Sequence, residues 1–297
     1  MSDLLRKILL PLNGTPNGEA ALATALILAK RSGAHVAALH VRSDSREVAP
    51  LAGEGLSGAM VEEMMTAAER ESARRSLVVR EVFDRLVGAA GIEVRGGPPE
   101  PDPLTHLMSG PSASFRSVTG REHEVVAYAA RLSDLTVVPH ADSGEEVSSS
   151  EALHAVLFDS GRPVVIAPKL TPKQVGRRLC IAWNGTGESA SAIMSILPWA
   201  KQADEVQVLH SEDYQRRGPD AAALLGYLSL HGIRATLQSF RAIDKDVGAG
   251  LLAAATKFGA DMLSMGAYSH SRLRQLILGG VTRHVLENAQ VTVLMAR

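Results

Sequence analysis

Short continuous apolar runs alternate along this chain with longer stretches in which apolar residues recur every three to four positions. Ile8 to Leu12 and Val36 to Val41 have the first pattern and predict strands. Glu19 to Arg31, between them, has the second and predicts a helix, with Asn17 as its N-cap and Gly33 as its stop. Farther along, Leu179 to Trp183, Val206 to Leu209, Ala235 to Phe240, Met262 to Met265 and Val291 to Met295 predict five more strands, separated by helical stretches such as Ala221 to Leu230 and Val247 to Phe258. Strands that are apolar on both faces need cover on both faces. The pattern therefore predicts an α/β fold, a parallel sheet with helices above and below and right-handed crossovers. In such sheets a ligand binds beyond the carboxyl ends of the strands, where the strand order reverses.

The chain also repeats itself. Asn13-Gly14-Thr15 returns as Asn184-Gly185-Thr186 after 171 positions, and Val36 to His40 returns as Val206 to His210 after 170. Ser114-Phe115-Arg116 and Ser239-Phe240-Arg241 differ by 125, the runs beginning at Asp134 and Asp261 by 127, and Pro163 to Ala167 and Val291 to Met295 by 128. Five segments recurring in one order at so long a period indicate a duplicated domain rather than a solenoid. The fall from 170 to 125 assigns 45 additional residues to the first half. The polar, proline-bracketed stretch Pro168 to Gly176 is the expected seam, giving domains at 1–170 and 175–297 with an insertion at about 43–111. Within the insertion, Leu56 to Ala90 predicts a long helix or a broken pair, its Met60 and Met64 packed against the domain. Gly96 to Pro103 and Ser109-Gly110-Pro111 predict an irregular loop.

Composition narrows the function classes. With 297 residues, 45% hydrophobic and 21% charged, the chain has material for two ordinary cores. Thirty-one Lys and Arg against 32 Asp and Glu leave a net charge of −1, so no bulk field favours nucleic acid or acidic lipid. Aromatics at 4% offer no stacking platform for bases. The single cysteine, Cys180, excludes an internal disulfide and a cysteine metal cluster, and its place inside a strand reads as buried packing. A reducing, cytoplasmic setting is the expectation. No apolar run reaches the roughly 18 residues of a membrane span, and no signal peptide or anchor is expected. Ten histidines are present without a short metal-binding spacing, and no nucleophile elbow occurs.

The chemistry-bearing stretch lies near the C-terminus. Gly266 directly follows an apolar strand, and Gly279-Gly280 directly precedes a helical pattern. A glycine at a strand end lets backbone approach a ligand, and a Gly-Gly pair opening a helix exposes N–H groups at the positive end of its dipole, where phosphate binds. The same glycines also suit a tight turn with no ligand. Tyr268, His270, Arg272 and Arg274 fall inside this stretch, as solvated side chains or as phosphate contacts. His40 and His210, matched at the end of the second strand of each half, read equally as pocket lining or strand-end packing.

Taken together, the repeated Asn-Gly-Thr after the first strand, the glycine pattern after the fourth and the final Val-Thr-Val-Leu-Met strand resemble two universal stress protein domains in tandem. The resemblance implies five-stranded, Rossmann-like parallel sheets of order 3-2-1-4-5, packed as a pseudo-dimer through Pro163 to Ala167 and Val291 to Met295. It further implies a stress-response protein that binds ATP or another adenine nucleotide through a G-x2-G-x9-G-[S/T] pattern. Here those four positions are Gly266, Ser269, Gly279 and Gly280, so the spacing is kept and two residues differ. Ser269 adds a side chain where glycine is usual, and Gly280 lacks a hydroxyl worth roughly 0.5 to 1.5 kcal/mol, which points to weak binding. The nucleotide-binding set implied is Asn184, Gly185, Thr186, Ser211, Gly266, Ser269, Gly279, Gly280 and Val281. Asn13 and Asn184 stand where ATP-binding members carry Asp, which removes the anion that would help hold magnesium.

The first half lacks the pattern. Pro139 and Asp142 align with Gly266 and Ser269, and Glu151 and Ala152 with Gly279 and Gly280, so no ATP site is expected there, and Ser143 to Ser150 reads as a solvated loop and helix cap. Slow ATP hydrolysis is the most catalysis expected. The rival expectations are a nucleotide-free module that dimerises or acts through a protein partner on the insertion, and an ATP-dependent substrate-activating enzyme. The second lacks a paired carboxylate, cysteine or metal cluster to carry it.

Overall fold

The computed structural model describes residues 5–42, 58–96, 110–140, 151–214, 218–267 and 280–297. The first half runs β1 (Lys7–Pro11), α1 (Pro16–Ser32), β2 (His35–Arg42), α2 (Gly58–Ala89), β3 (Glu93–Val94), β4 (Ser112–Thr119), α3 (Glu122–Arg131), β5 (Leu135–Val138), α4 (Glu151–Ala155, continued by a π-helical turn Val156–Ser160) and β6 (Val164–Ile166). The second runs β7 (Arg178–Ala182), α5 (Gly187–Ala200), β8 (Glu205–Ser211), α6 (Ala221–Leu230), β9 (Ala235–Phe240), α7 (Val247–Phe258), β10 (Met262–Gly266), α8 (Gly280–Asn288) and β11 (Thr292–Ala296). The eleven strands among the described residues join one sheet, ordered β3-β4-β2-β1-β5-β6-β11-β10-β7-β8-β9. With the short edge strand β3 set aside, each half contributes five strands in the order 3-2-1-4-5, and the halves meet through their last strands. Among the described strands the seam is the one antiparallel ladder, with Ile166, Val165 and Val164 opposite Val293, Leu294 and Met295.

Alternation of strand residues divides the core into two layers. Ile8, Leu10, Leu179 and Ile181 face one side with Leu22 of α1, Phe83 of α2, Ile196 of α5 and Leu224 of α6. Leu9 and Cys180 face the other with Val126 of α3, Val156, Leu251 of α7 and Val285 of α8. Both layers run across the seam. Arg31, near the end of α1, ties the halves further by donating to the carbonyls of Val175 and Gln202 at 2.8 and 2.6 Å.

Matched residues do matched work at the amino ends of the strands. The Asp134 carboxylate accepts from the backbone N–H groups of Arg6 and Lys7 at 2.7 and 2.8 Å, clamping the start of β1. Asp261 accepts from those of Gly176, Arg177 and Arg178 at 2.7, 3.0 and 3.2 Å, clamping the start of β7. Strand-leading N–H groups that the ladder leaves open are thereby satisfied by charge-assisted bonds.

Four expectations need correction. The first half has a sixth strand, the two-residue β3, added on the edge by the insertion. Helix α1 begins at Pro16, a favourable first position because its missing N–H would be unpaired there, so Asn17 is inside the helix rather than its cap. Asn17 Nδ2 instead donates to the His140 carbonyl at 2.9 Å; Gly33 does end the helix, in the left-handed region at φ 67°. Met60 and Met64 are 50% and 42% exposed rather than packed, because α2 buries only Val79, Phe83 and Val87 near its C-terminal end. Finally, the ladders pair His40 with Ser117 and His210 with Ser239. The structural counterpart of Ser239 is therefore Ser117, at an offset of 122, and the Ser-Phe-Arg likeness at 125 is not an equivalence. The expected loop at 97–109, the Ser143 to Ser150 run and Asp142 lie outside the described residues.

Candidate functional site

The two Asn-Gly-Thr segments form the same turn. Asn184 Oδ1 accepts from the Thr186 N–H and hydroxyl at 3.2 and 2.9 Å, and Asn13 Oδ1 from those of Thr15 at 3.3 and 3.0 Å. Gly185 and Gly14 supply the left-handed backbone the turn requires, at φ 80° and 78°. In the second half Thr186 also caps α5, its Oγ1 accepting from the Ser189 N–H at 3.3 Å. The asparagine oxygen is committed to the turn, which leaves its amide as a donor to anything bound above.

Both turns sit where the strand order reverses, between β1 and β5 and between β7 and β10. In the second half that crevice is bordered by Asn184, Gly185 and Thr186 after β7, Ser211 at the end of β8 and Gly266 at the end of β10. Ser211 is buried, and its hydroxyl accepts from the Asp213 N–H at 3.2 Å. Gly266 has a packing reason to be glycine, because a Cβ there would lie 2.5 Å from the Ser189 nitrogen and 2.6 Å from the Glu188 carbonyl carbon, on the first turn of α5. Gly280 opens α8 and is exposed, with none of the described residues within 4 Å of where its Cβ would stand, and Val281 follows in the first turn. Ser269 and Gly279 lie outside the described residues, as do Tyr268, His270, Arg272 and Arg274.

What covers each turn differs. In the first half α2 lies on it, and a Cβ on Gly14 would stand 2.9 Å from Val79 Cγ2 and 3.7 Å from Arg75 Cγ. In the second half backbone lies on it. A Cβ on Gly185 would meet the Gly218 Cα and the Pro219 carbonyl oxygen at 3.3 Å, and Trp183 Nε1 donates to that oxygen at 3.0 Å. His40 is buried under α2, with its Nδ1–H donating to the Leu12 carbonyl at 2.8 Å, whereas His210 is only partly buried.

One further pair escaped the sequence reading. Glu212, just beyond β8, accepts from Arg241 Nε at 2.7 Å and from the Ser239 hydroxyl at 2.8 Å, and the guanidinium beside it holds its carboxyl below the usual range. Arg42 occupies the corresponding place in the first half, at the 170-residue offset. Extending the match of His40 and His210 by two positions would have exposed this reversal of charge. Among the described residues no group of three or more His, Cys, Asp or Glu could hold a metal ion, and no helix is long and apolar enough to cross a membrane. Cys180 is buried, and burial pushes its thiol up to about 12, which leaves it unreactive.

A sequence profile of the universal stress protein family matches residues 5–106 and 188–297. The chain belongs to that family. The universal stress protein of Archaeoglobus fulgidus DSM 4304 is similar over 100% of this chain and 98% of its own, with a TM-score of 0.69 and 16% identity. A functionally unknown protein of Pseudomonas aeruginosa PAO1 is similar over 98% of this chain and 92% of its own, with a TM-score of 0.54 and 14% identity. A universal stress protein solved in complex with cAMP is similar over 56% of this chain and 98% of its own, with a TM-score of 0.35 and 15% identity. No curated protein sequence matches the chain.

Proposed function

We propose that this tandem universal stress protein is a stress-response binding protein that holds ATP or another adenine nucleotide weakly in its second half. Its domains divide at the Pro168 to Gly176 link, and the work is done in the reducing cytoplasm. The observation that carries the reading is Gly280, which begins a nine-residue helix in the half where the strand order reverses between β7 and β10, with no described residue within 4 Å of where its Cβ would stand. The N–H groups at the start of α8, those of Gly280 and Val281, have no intrahelical partner and suit phosphate. The Asn184-Gly185-Thr186 turn, Ser211 and Gly266 border the nucleoside end, and Ser269 and Gly279 complete the phosphate loop by the family pattern. A neutral Asn184 gives magnesium no anchor, so binding is metal-independent.

Calorimetric titration of ATP and AMP, with and without magnesium, into the wild type and Gly280→Asp tests this. An aspartate at the start of a helix stabilises it while repelling phosphate, so the variant stays folded. Saturable binding to the wild type, at least tenfold weaker in the variant and unchanged by magnesium, is expected. No saturable binding to folded wild type overturns the reading.

One observation favours a second reading, a nucleotide-free module that dimerises or meets a protein partner through the insertion. The Gly218-Pro219 backbone already rests on Gly185, and Gly266 is explained by the approach of α5. Under that reading both crevices are filled by the chain itself, and the exposed N-terminal part of α2 is the surface left to meet a partner.

A further inference from the structure

The first half carries an arginine without its anion. Arg42 ends β2, paired in register with Thr119 of β4, and its Nη2 donates to Thr119 Oγ1 at 3.1 Å. Its Nε is buried and has no hydrogen-bond partner, and among the described residues no carboxylate pairs with it. The second half shows what such a position ordinarily needs. There the arginine is Arg241, structurally opposite Thr119, and Glu212, at the place of Arg42, accepts from its Nε at 2.7 Å. The unfilled Nε–H of Arg42 leaves a desolvated cationic donor, a cost that a bound anion relieves.

The surroundings supply further donors. His40 and Arg42 on β2 share a sheet face with Ser117 and Thr119 on β4. That face lies under α2, as Ser76 of α2 donating to Ser117 Oγ at 3.4 Å and the Phe83 and Phe115 rings 5.5 Å apart both indicate. Ser117 and Thr119 accept in these bonds, and among the described residues their own hydroxyl hydrogens have no acceptor. On α2, Glu71 is engaged by Arg74 at 3.0 Å and Arg75 at 3.9 Å, and Asp84 by Arg80 at 2.8 Å. Thr119 is exposed, so the cluster opens to solvent at its rim, and α2 contributes no buried side chain before Val79 to seal it.

We propose that the first half binds a tetrahedral oxyanion, a phosphate group free or on a small ester, at Arg42, Ser117 and Thr119 beneath α2. One guanidinium N–H on β2 and two hydroxyls on β4 share a sheet face, and three separate donors suit four oxygens at tetrahedral corners better than the two coplanar oxygens of a carboxylate. This site is at the β2/β4 end of the first half, apart from the nucleotide reading of the second.

The test is a titration of the full chain with inorganic phosphate at constant ionic strength, followed by the ¹⁵N resonance of the Arg42 Nε–H and by calorimetry. Glycerol 3-phosphate and acetate are run in parallel. The Arg42 resonance is expected to shift saturably. In the Gly280→Asp background, which removes the phosphate contact read in the second half, Arg42→Gln should weaken phosphate binding at least tenfold and Thr119→Val about threefold. Tighter binding of glycerol 3-phosphate than phosphate identifies an ester as the ligand, and equal or weaker binding identifies the free ion. An unshifted Arg42 resonance, affinity unchanged in both Arg42→Gln and Thr119→Val, or acetate bound as tightly as phosphate overturns the proposal. Loss of nucleotide binding with phosphate binding intact would fall on the second half alone.

Discussion

At the carboxyl edge of the sheet the two halves are built alike below and differently above. Below, each has an asparagine oxygen holding a threonine two residues on, a glycine near φ 80°, and an aspartate clamping the start of its first strand from the far end. Above, the first half has a 32-residue helix over its turn, and the second has the Gly218-Pro219 backbone. The ion pair of Glu212 with Arg241 has no counterpart around Arg42. The repeated features are those that close backbone hydrogen bonds, which a strand cannot do without. The divergent ones lie on top of the sheet, where a change alters what can bind without unmaking the fold.

The largest expected effect separates the two ends of α2. Phe83 is fully buried against the sheet, and Phe83→Ala should cost about 3 to 5 kcal/mol. Met64, 42% exposed on the same helix, should change stability by less than about 0.5 kcal/mol when replaced by alanine. Urea unfolding of the two variants measures the contrast. Equal losses would mean that the N-terminal part of the helix is packed as firmly as the rest, and the difference between the two covers would shrink to one of length.

That helix also marks what could be read from the sequence. Its existence was legible from the recurrence of apolar residues between Leu56 and Ala90, but the fate of its methionines was not. A helix of 32 residues is about 48 Å long at 1.5 Å per residue, whereas the eight residues of β4 span only about 27 Å. The sheet ends before the helix does, and no periodicity along one element reports the length of another. By contrast α6 and α7 have the bounds their apolar patterns set, and the pairing of the last strands was implied by the family resemblance. The Ser-Phe-Arg match failed because three identical residues outweighed a register that only the ladder fixes. In the candidate site, Gly266 was legible as special, while its packing against α5 was not. Arg42 passed unnoticed because an unpaired charge is a property of neighbours.

A smaller effect distinguishes two kinds of glycine in the second half. Gly266→Ala places a Cβ 2.5 Å from the Ser189 nitrogen, and because backbone rather than a side chain must yield, about 1 to 3 kcal/mol should be lost. Gly280→Ala meets none of the described residues and should stay within about 0.5 kcal/mol of the wild type or gain slightly from better helix propensity. Paired thermal and urea denaturation would check this. A large loss at Gly280 would place protein, rather than open space, against the start of α8.

The smallest effect lies at the opposite, amino end of the sheet, where His35 of the first half stands at the offset of exposed Glu205 in the second. His35 is 7% exposed, with Nδ1 2.9 Å from Ser112 Oγ and Nε2 2.8 Å from Ser114 Oγ, across the β2/β4 ladder. Burial lowers its pKa below 6.5, and Lys7 and Arg95 lower it further. The folded state therefore binds the proton less readily than the unfolded chain, so the stabilisation is complete above about pH 6.5. It is lost progressively as the pH falls from there through the folded-state value. Against this background, wild type should lose stability between pH 7 and pH 5 more steeply than His35→Gln, which keeps a hydrogen-bonding side chain without the titration. Denaturant midpoints at the two pH values give the slopes. Parallel slopes would remove His35 as the cause and leave the acid sensitivity of the two halves alike.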